Sequence, residues 1–596
     1  MLAVHRQLRG ELLDARTPDG HWTGRLSSSA LSTATAISAL AVTDAARHRD
    51  TIAAGLRSIA PEQNDDGGFG DTDRSHSNIA TSYLLLAADR IARQRLSMGL
   101  DDDRPGRTDR LRQFIVDSGA INGLRHRYGA DKTFVVPILT NLAIAGLVPW
   151  KDVAALPFEL AAVPRRYYAA VRMPVVSYAV PALVAIGQVR HHHHPTRLLP
   201  LRWLRDRLIA PTLEVLSSMQ PVSGGYLEAT PLTAFVLMSL ASAGRGDTPV
   251  ARRCVEFLVG SVRDDGQWPI DTNLATWLTS LAIEALSVGD RLTGATRDAP
   301  APRSWNTPSL RRWHAACQWT ETHRFTGSPP GGWGWTDLSG AVPDGDDTPA
   351  AVLATRVLYE KDPPSVEAGR QWLSQLQNRD GGLPTFCRGW GRLPFDRSSV
   401  DLTAHAIRSG GVDVSKAIGF LKRRQNDDGS FSPLWFGNQD RDDEDNPVYG
   451  TSRVLMAADR LPDEMLDDAV QYLLAAQNDD GGWGGGVSVA RNYDVDAATI
   501  SSVEETSLAL EALAFWATSN RDDQRRDPPH RAESVDSAII AATAWLGEAV
   551  AAGWHRRANP IGFYFAKLWY YEDLYPLIFA TRAIGRVLQH EFTRTP

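Results

Sequence analysis

The segment YLLAAQNDDGGW, residues 472–483, decides the fold because closely similar segments recur along the chain. WLSQLQNRDGGL at 372–383 and FLKRRQNDDGSF at 420–431 precede it, at spacings of 48 and 52 residues. Each copy is typical of a helix end that runs into a glutamine and a glycine turn carrying a bulky apolar residue. Weaker copies lie at 17–22, 59–69, 213–226, 257–268 and 545–554.

The stretches between the copies are rich in alanine and leucine and have a helical pattern. Examples are SVDLTAHAIRSG at 399–410 and SVEETSLALEALAFW at 502–516, and strand-like alternation is almost absent. A helix–helix–turn unit of about 50 residues, used several times, favours closed toroids of paired helices over an open solenoid. We expect the repeated glutamine and glycine to be structural, with the glutamine amide linking one turn to the end of a neighbouring helix.

The composition narrows the class of protein. A chain of 596 residues indicates two or more large domains, and 43% hydrophobic with 22% charged residues is ordinary globular composition. A net charge of −7 argues against a nucleic-acid partner. The three cysteines, Cys254, Cys317 and Cys387, form neither a disulfide framework nor a CxxC metal site, which fits a reducing cytoplasm.

Membrane insertion is not predicted from hydropathy. The first residues have no signal-peptide core, and no segment is long and apolar enough for a transmembrane helix. The most apolar stretches, 134–150 and 175–187, are short and interrupted by proline. Each is expected to be buried core or an element that inserts into a membrane surface, so a monotopic contact stays open.

The segment PGGWGWTDLSGAVPDGDDTPA, residues 330–350, carries the predicted chemistry. It places Asp344, Asp346 and Asp347 just downstream of two tryptophans. A carboxylic acid can protonate an alkene, and aromatic faces can then stabilise the carbocation that forms. Other Asp-Asp pairs in the chain are typical turn residues, so the signal is the acidic motif together with its aromatic context.

The acidic motif is predicted to precede a helix. Thr348 is the expected N-cap, with Pro349 at the first helical position, where a missing N–H costs nothing. The carboxylates would then lie at a helix N-terminus, which favours their charged forms.

Together, the Gln-Gly-Trp repeats, the PGGW turn and the DxDDT motif resemble the squalene–hopene cyclase family of class II terpene cyclases. The resemblance covers nearly the whole chain and includes segments 147–168 and 559–576. It implies an all-α fold of two α/α barrels, one inserted into the other, with a central cavity and a nonpolar entrance at a membrane. The domains would be an inserted barrel at 17–270 and a catalytic barrel at 271–596, completed by residues 1–16.

The resemblance also implies roles for the polar residues. Asp346 would donate the proton, while Asp344 and Asp347 would hydrogen-bond and tune its acidity. His405, in SVDLTAHAIRS, would hydrogen-bond the acid. A donor at that place favours the carboxylate and so makes Asp346 a stronger acid.

Five aromatic residues are expected to stabilise substrate or cations. They are Trp335, Phe386, Trp483, Phe563 and Trp268. Trp483 either faces the cavity or only locks its turn, and Trp268 stands with Asp271 and Trp277 in a segment that departs from the family pattern. The product skeleton stays open, because the sequence departs from the family pattern in three places. These are this segment, the segment GLPTFCRGWGRLPF and Asn559.

The predicted function is proton-initiated cyclisation of squalene or a similar polyene, with a hopene-type or variant product. No cofactor, metal or nucleic acid is expected. The resemblance implies a bacterial hopanoid enzyme, bound peripherally to the cytoplasmic side of a membrane and compatible with a homodimer. A cyclase of prenyl diphosphates is the first alternative, with Arg165, Arg166 and Arg172 as charges for the diphosphate. A zinc prenyltransferase β-like subunit and a non-catalytic lipid-binding helical toroid are the others.

Overall fold

The computed structural model describes residues 1–596 except 130–132, 165–166, 169–174, 291–303, 497–499, 520–528, 565–566 and 595–596. Helices build it, so the predicted all-α architecture is confirmed. The first are α1 (Leu2–Asp14), α2 (Ala30–Asp44), α3 (Arg49–Ile59), α4 (Ile79–Leu96), α5 (Arg107–Asp117), α6 (Ala120–Tyr128), α7 (Val135–Ile144), α8 (Val175–His193), α9 (Leu199–Ser218), α10 (Thr230–Ser242) and α11 (Pro249–Ser261). The rest are α12 (Ala275–Asp290), α13 (Pro308–Ala316), α14 (Asp347–Leu358), α15 (Pro364–Leu376), α16 (Val400–Ser409), α17 (Val414–Arg424), α18 (Pro447–Leu455), α19 (Asp463–Ala475), α20 (Val487–Tyr493), α21 (Val503–Ser519), α22 (Pro529–Ala551) and α23 (Tyr575–Arg594).

The C-terminal helices form a closed ring. In the order α12, α14, α16, α18, α21 and α23, each inner helix packs against the next, and α23 packs back against α12. The amphipathic helices α15, α17, α19 and α22 lie outside this ring, each beside the inner helix that precedes it. The inner helices are buried on almost every side, as α21 illustrates, because they face both the barrel interior and the outer layer.

The N-terminal helices form a second ring from α2, α4, α7, α8 and α10, which closes where α10 packs against α2. Helix α1 instead packs against α23 and α12 of the C-terminal ring.

The predicted boundaries at 17–270 and 271–596 stay a prediction. Within the part of the chain that the structure describes, no helix combines the length and apolarity needed to cross a bilayer.

Two short antiparallel ladders hold loop segments against the barrels. Strand β1 (Leu383–Pro384) pairs with β2 (Ser398–Ser399), and β3 (Gly562–Tyr564) pairs with β4 (Leu568–Tyr570). In the second ladder Phe563 lies opposite Trp569. Successive side chains of a strand point to opposite faces, so β3 can send only alternate residues into one cavity.

The repeated glutamines link each turn to the next outer helix, which confirms their predicted structural role. Gln377 Nε2 donates to the carbonyl oxygens of Gly381, at 2.7 Å, and Asp413, at 3.1 Å. Its Oε1 accepts from the Asp413 N–H at 2.9 Å. Gln425 and Gln477 make the same pair of donations in their own repeats. One amide thus ties a turn to the following outer helix.

Removing this link should destabilise the barrel without changing its chemistry. Gln377→Ala leaves buried carbonyl and N–H groups without their partners, so the free energy of unfolding should fall by about 1–3 kcal/mol. Thermal unfolding followed by circular dichroism measures the change. The matched control is Gln371→Ala on the exposed face of α15, whose amide donates to Glu367 Oε1. Equal melting temperatures for the two variants would contradict the linking role.

The aromatic residues of the turns are anchored by their ring N–H groups. Trp268 Nε1 donates to the Leu258 carbonyl at 2.6 Å, and Trp483 Nε1 donates to the Leu473 carbonyl at 2.7 Å. In both cases the acceptor lies ten residues earlier, at the end of the preceding helix. Both indoles are fully buried. These tryptophans therefore close helix ends, because the otherwise unpaired carbonyl takes the indole N–H.

Candidate active site

The acidic loop is folded by Asp344. Its Oδ1 accepts the backbone N–H groups of Asp346, at 2.9 Å, and Asp347, at 2.8 Å. Helix α14 therefore begins at Asp347 with Asp346 as N-cap, and the prediction of Thr348 as N-cap is wrong. The Thr348 hydroxyl instead accepts the N–H of Trp333 and donates to its carbonyl. The side chain of Asp344 supplies the cap that the sequence assigned to threonine.

His405 and Arg453 meet at the side chain of Asp346. His405 Nδ1 lies 2.6 Å from Asp346 Oδ1 and 3.0 Å from Arg453 Nη2, and Arg453 Nη2 lies 3.9 Å from the same carboxyl oxygen. A guanidinium can only donate, so it favours the tautomer in which Nδ1 carries no hydrogen. In that tautomer the hydrogen of the 2.6 Å contact belongs to Asp346, which is then a neutral acid.

Burial controls the protonation of the three aspartates. It raises the pKa of Asp346 to about 6, while the Arg453 charge acts in the opposite direction. Burial likewise raises the pKa of Asp344 to about 6, and burial with the Asp344 charge raises the pKa of Asp347 well above its ordinary value. Desolvation and the Arg453 charge together lower the pKa of His405 well below its ordinary value. A neutral histidine thus faces a cluster of carboxyl groups that keep their protons to higher pH than ordinary aspartates do.

A network of buried charges lies behind His405, where the inner helices of the C-terminal barrel converge. Arg408 and Arg582 each lie 2.9 Å from Glu284 Oε2, and Arg582 Nε lies 2.5 Å from Glu511 Oε1. The two arginines lower the pKa of Glu284 to about 2 against the effect of burial. Buried ions that are paired in this way hold a fixed geometry, which keeps the neighbouring imidazole in place.

The acid faces a cavity of about 470 Å³ that lies between the two rings of helices. Asp344, Asp346 and Asp347 lie on its wall, with Trp335 and Phe386 among the lining residues. The rings of Trp335 and Phe386 are 6.3 Å apart in an edge-to-face arrangement. The N-terminal part of the chain contributes aliphatic side chains together with aromatic ones, among them Phe235 and Tyr178, whose ring lies 5.3 Å from that of Phe386. Such a wall can hold an apolar chain and stabilise cations through π faces.

Three aromatic residues predicted to stabilise cations lie outside this lining. Trp268 and Trp483 close helix ends through their indole N–H groups, so Trp483 adopts the turn-locking alternative. Phe563 stacks on Trp569 with ring centroids 4.2 Å apart. Its neighbour in β3, Tyr564, lines the cavity instead, as strand alternation requires. Asn559 hydrogen-bonds Glu504 and Tyr493 in a separate polar cluster.

Comparison with known proteins identifies the family. The squalene-hopene cyclase C-terminal domain matches residues 274–582, and the squalene-hopene cyclase N-terminal domain matches residues 6–221. The chain belongs to the squalene–hopene cyclase family.

Within the residues that the structure describes, no group of three or more His, Cys, Asp or Glu side chains is placed to hold a metal ion.

The relatives of this family member carry the names of different cyclases. The terpene cyclase-glycosyl transferase fusion protein fsoA of Humicola fuscoatra is 25% identical over 83% of the chain, which spans only 43% of that protein's length. Squalene hopane cyclase afumA of Aspergillus fumigatus is 23% identical, over 84% of the chain and 79% of that protein. Drimenyl diphosphate synthase of Streptantibioticus cattleyicolor is 29% identical, over 49% of the chain and 54% of that protein. In fold, the chain is similar to ent-copalyl diphosphate synthase from Streptomyces platensis, with a TM-score of 0.53, 18% identity and 98% of each chain covered.

Arg453 is the main residue of this family member's site that the sequence analysis missed, although the repeats carry a signal for it. The Thr403 hydroxyl accepts the N–H of Leu383, and the Thr451 hydroxyl accepts the N–H of Phe431. Each threonine lies twenty residues after its turn residue. His405 and Arg453 each follow their threonine by two positions, so they occupy equivalent places in consecutive repeats. Aligning TAH with TSR would have brought Arg453 to the acid.

Proposed function

We propose that the chain is a class II terpene cyclase in which Asp346 protonates the terminal double bond of a polyisoprenoid. The observation that supports this most directly is a buried carboxyl group, paired with a neutral histidine, on the wall of an apolar and aromatic cavity. The alkene takes the proton of Asp346, and the cation that forms is attacked by the next double bond of the same chain. Trp335 and Phe386 stabilise the early cations. The Arg453 charge stabilises the carboxylate that is left.

We propose that the substrate is a neutral polyene of the squalene class, cyclised to a hopene-type or variant skeleton. The described residues that line the cavity include carboxyl groups but no lysine, arginine or histidine. A diphosphate needs cationic partners, whereas an uncharged polyene needs only shape and apolar surface. The similarity to afumA, a squalene hopane cyclase by name, supports the same choice.

A second candidate is cyclisation of a prenyl diphosphate, which the similarity to drimenyl diphosphate synthase favours. Arg165, Arg166 and Arg172, the charges predicted for a diphosphate, lie outside the described residues. This function would keep the role of Asp346 and change only the far end of the substrate.

Parallel incubations separate the two candidates. Purified protein is supplied with squalene in detergent, and separately with farnesyl and geranylgeranyl diphosphate with and without Mg²⁺. Products are identified by gas chromatography–mass spectrometry, after phosphatase treatment of the diphosphates. Cyclic C30 hydrocarbons or alcohols would support the squalene assignment. Cyclic products from a diphosphate alone would replace it with the second candidate. A folded protein that consumes none of these isoprenoids would overturn the proposed reaction.

We further propose that the protein works as a peripheral protein at the cytoplasmic face of a bacterial membrane, in an arrangement that allows a homodimer. The membrane contact is supported by a cluster of exposed apolar side chains at the start of α9. Leu198, Leu199 and Trp203 are 66%, 74% and 63% exposed. The Arg207 guanidinium lies over the Trp203 ring. Aromatic and basic side chains beside an exposed apolar surface are typical of a membrane-interface contact.

Charges placed in this cluster should weaken membrane binding. Leu199→Glu combined with Trp203→Glu should reduce co-flotation with vesicles of phosphatidylethanolamine and phosphatidylglycerol by at least about tenfold. The substitutions remove two apolar side chains that would insert into the bilayer and introduce negative charges that the anionic lipid repels. The matched control is Ile540→Glu, which changes an isolated residue of α22 that is 66% exposed. Unchanged flotation of the double variant would contradict a docking role for α9.

A further inference from the structure

Asp271 is a buried carboxylate on the cavity wall that the initiation step does not use. It lies just ahead of α12, where its backbone forms a β-bridge with Ala229. Its Oδ2 accepts a hydrogen bond from the hydroxyl of Tyr564, a residue of β3 that lines the same cavity. Its Oδ1 is buried and has no hydrogen-bond partner among the described residues. A buried carboxyl oxygen without a hydrogen-bond partner lowers the stability of the fold, so its presence here calls for an explanation.

The Asp271–Tyr564 pair lies near the acid. Six residues after Asp271, the ring of Trp277 makes an edge contact with His405 at 6.2 Å between ring centroids. The N–H groups of Thr276 and Trp277 both donate to the carbonyl of Trp335, at 3.0 and 3.2 Å. The charges of Asp271 and Asp347 both help to raise the pKa of Tyr564, behind the larger effect of burial. The pair and the acid therefore share one region of the cavity.

Aromatic rings surround the space between the two sites. Tyr564 makes an edge contact with Trp435 at 5.5 Å and lies 5.0 Å from Tyr570. Trp435 in turn contacts the ring of Phe386 edge-on at 6.3 Å. All of these residues line the cavity. These π faces can stabilise positive charge between Asp346 and Asp271.

We propose that Asp271 is the base that ends the cation cascade, with Tyr564 as its positioning residue. This assignment rests on the proposed cyclase function and extends it to the terminating step. The carboxylate of Asp271 takes a proton from a carbon next to the cationic centre. The C–H bond breaks, its electron pair forms the new C=C bond, and the positive charge is cancelled. One proton enters the substrate from Asp346 and one leaves to Asp271, so the product is an isomer of the substrate.

The position of Asp271 has a consequence for the product. A base beside the acid meets the cation after few ring closures, before charge can travel the length of a C30 chain. Of the two outcomes proposed above, we therefore expect the variant one: products with few rings and an uncyclised tail, terminated as alkenes, in place of a hopene-type skeleton.

Asp271→Asn tests the assignment, because a near-isosteric amide cannot accept a proton at neutral pH. Substrate consumption should continue, since Asp346 is untouched. The fraction of alkene products that wild type forms should fall at least about tenfold, replaced by alcohols or by alkenes that lose a different proton. Tyr564→Phe keeps the ring and removes the donor, so its product ratio should lie between those of wild type and Asp271→Asn. The control is Asp440→Asn, a carboxylate bound to His76 and Ser488 outside this cavity lining.

The outcomes separate this inference from the proposed function. An active Asp271→Asn variant with the wild-type product profile would overturn the role of Asp271 and leave the cyclase function standing. If Asp271→Asn does not fold, an unchanged product profile in Tyr564→Phe would contradict the roles assigned to Asp271 and Tyr564. A wild-type protein that consumes no isoprenoid would overturn both proposals. Fully cyclised C30 products from wild type would overturn the early position of the base.

Discussion

Asp346→Asn is expected to lower kcat by at least about 1000-fold and to leave substrate binding nearly unchanged. The amide has the size and shape of the acid but holds no proton that it can give to an alkene, so the first cation never forms. Ordinary general-acid replacements cost about 10²–10⁴ in rate, and here no later step can begin without the transfer. Single-turnover conversion of squalene, followed by mass spectrometry, measures the loss.

The same substitution should not destabilise the protein. Burial raises the pKa of Asp346 to about 6, above the value of an aspartate in an unfolded chain. Because the folded-state pKa is raised, ionisation of Asp346 removes stability as pH increases through this range. At pH 8 the asparagine variant should therefore melt no lower than wild type. A loss of activity accompanied by a lower melting temperature would mean that misfolding, not missing acid, explains it.

Asp337→Asn is the matched control for this experiment. Asp337 lies in the same loop as the acid, its side chain is exposed, and it accepts a hydrogen bond from the Trp313 indole. Turnover within about twofold of wild type is expected, since surface substitutions of this kind have small effects. Wild-type turnover by Asp346→Asn would assign the proton to another carboxyl group.

The fold was predictable because its signal is repeated and local. Gln377, Gln425 and Gln477 each bind within their own turn and to the next outer helix, so every repeat reports the same geometry. The acidic motif is likewise contiguous, which let the sequence name Asp346 and its neighbours. The start of α14 was misplaced because the side chain of Asp344, not the nearest threonine, satisfies the first N–H groups.

The cavity wall was less predictable because it is assembled from distant segments. Tyr178 reaches Phe386 from the other ring of helices, and no spacing in the sequence encodes that approach. Trp268 and Trp483 have the same indole as Trp335, but their N–H groups are taken by helix carbonyls. The direction in which a ring points depends on such partners, and the resemblance that suggested Phe563 did not show that its ring stacks on Trp569.

Arg453→Met is expected to slow the reaction and, at the same time, to extend it to higher pH. The reacting form of the enzyme needs Asp346 protonated, so the wild-type rate should fall as pH rises through about 6. The Arg453 charge lowers the pKa of Asp346, and its removal should raise that pKa. The falling limb of the pH–rate profile therefore moves to higher pH. At pH 5 both proteins hold the proton, yet the variant should be about 10–100-fold slower because its acid is weaker.

The profile is measured as kcat from pH 5 to 9, with melting temperatures taken at each pH. Arg356→Met, on the helix that follows the acid, is the control. The guanidinium of Arg356 is exposed and pairs with Asp362, so this substitution should leave both rate and profile unchanged. Arg453→Lys retains a positive charge without the guanidinium fork, so its limb should return toward the wild-type position while its rate stays intermediate. A slower Arg453→Met enzyme whose limb does not move would show that Arg453 supports the fold around His405 and does not set the acidity of Asp346.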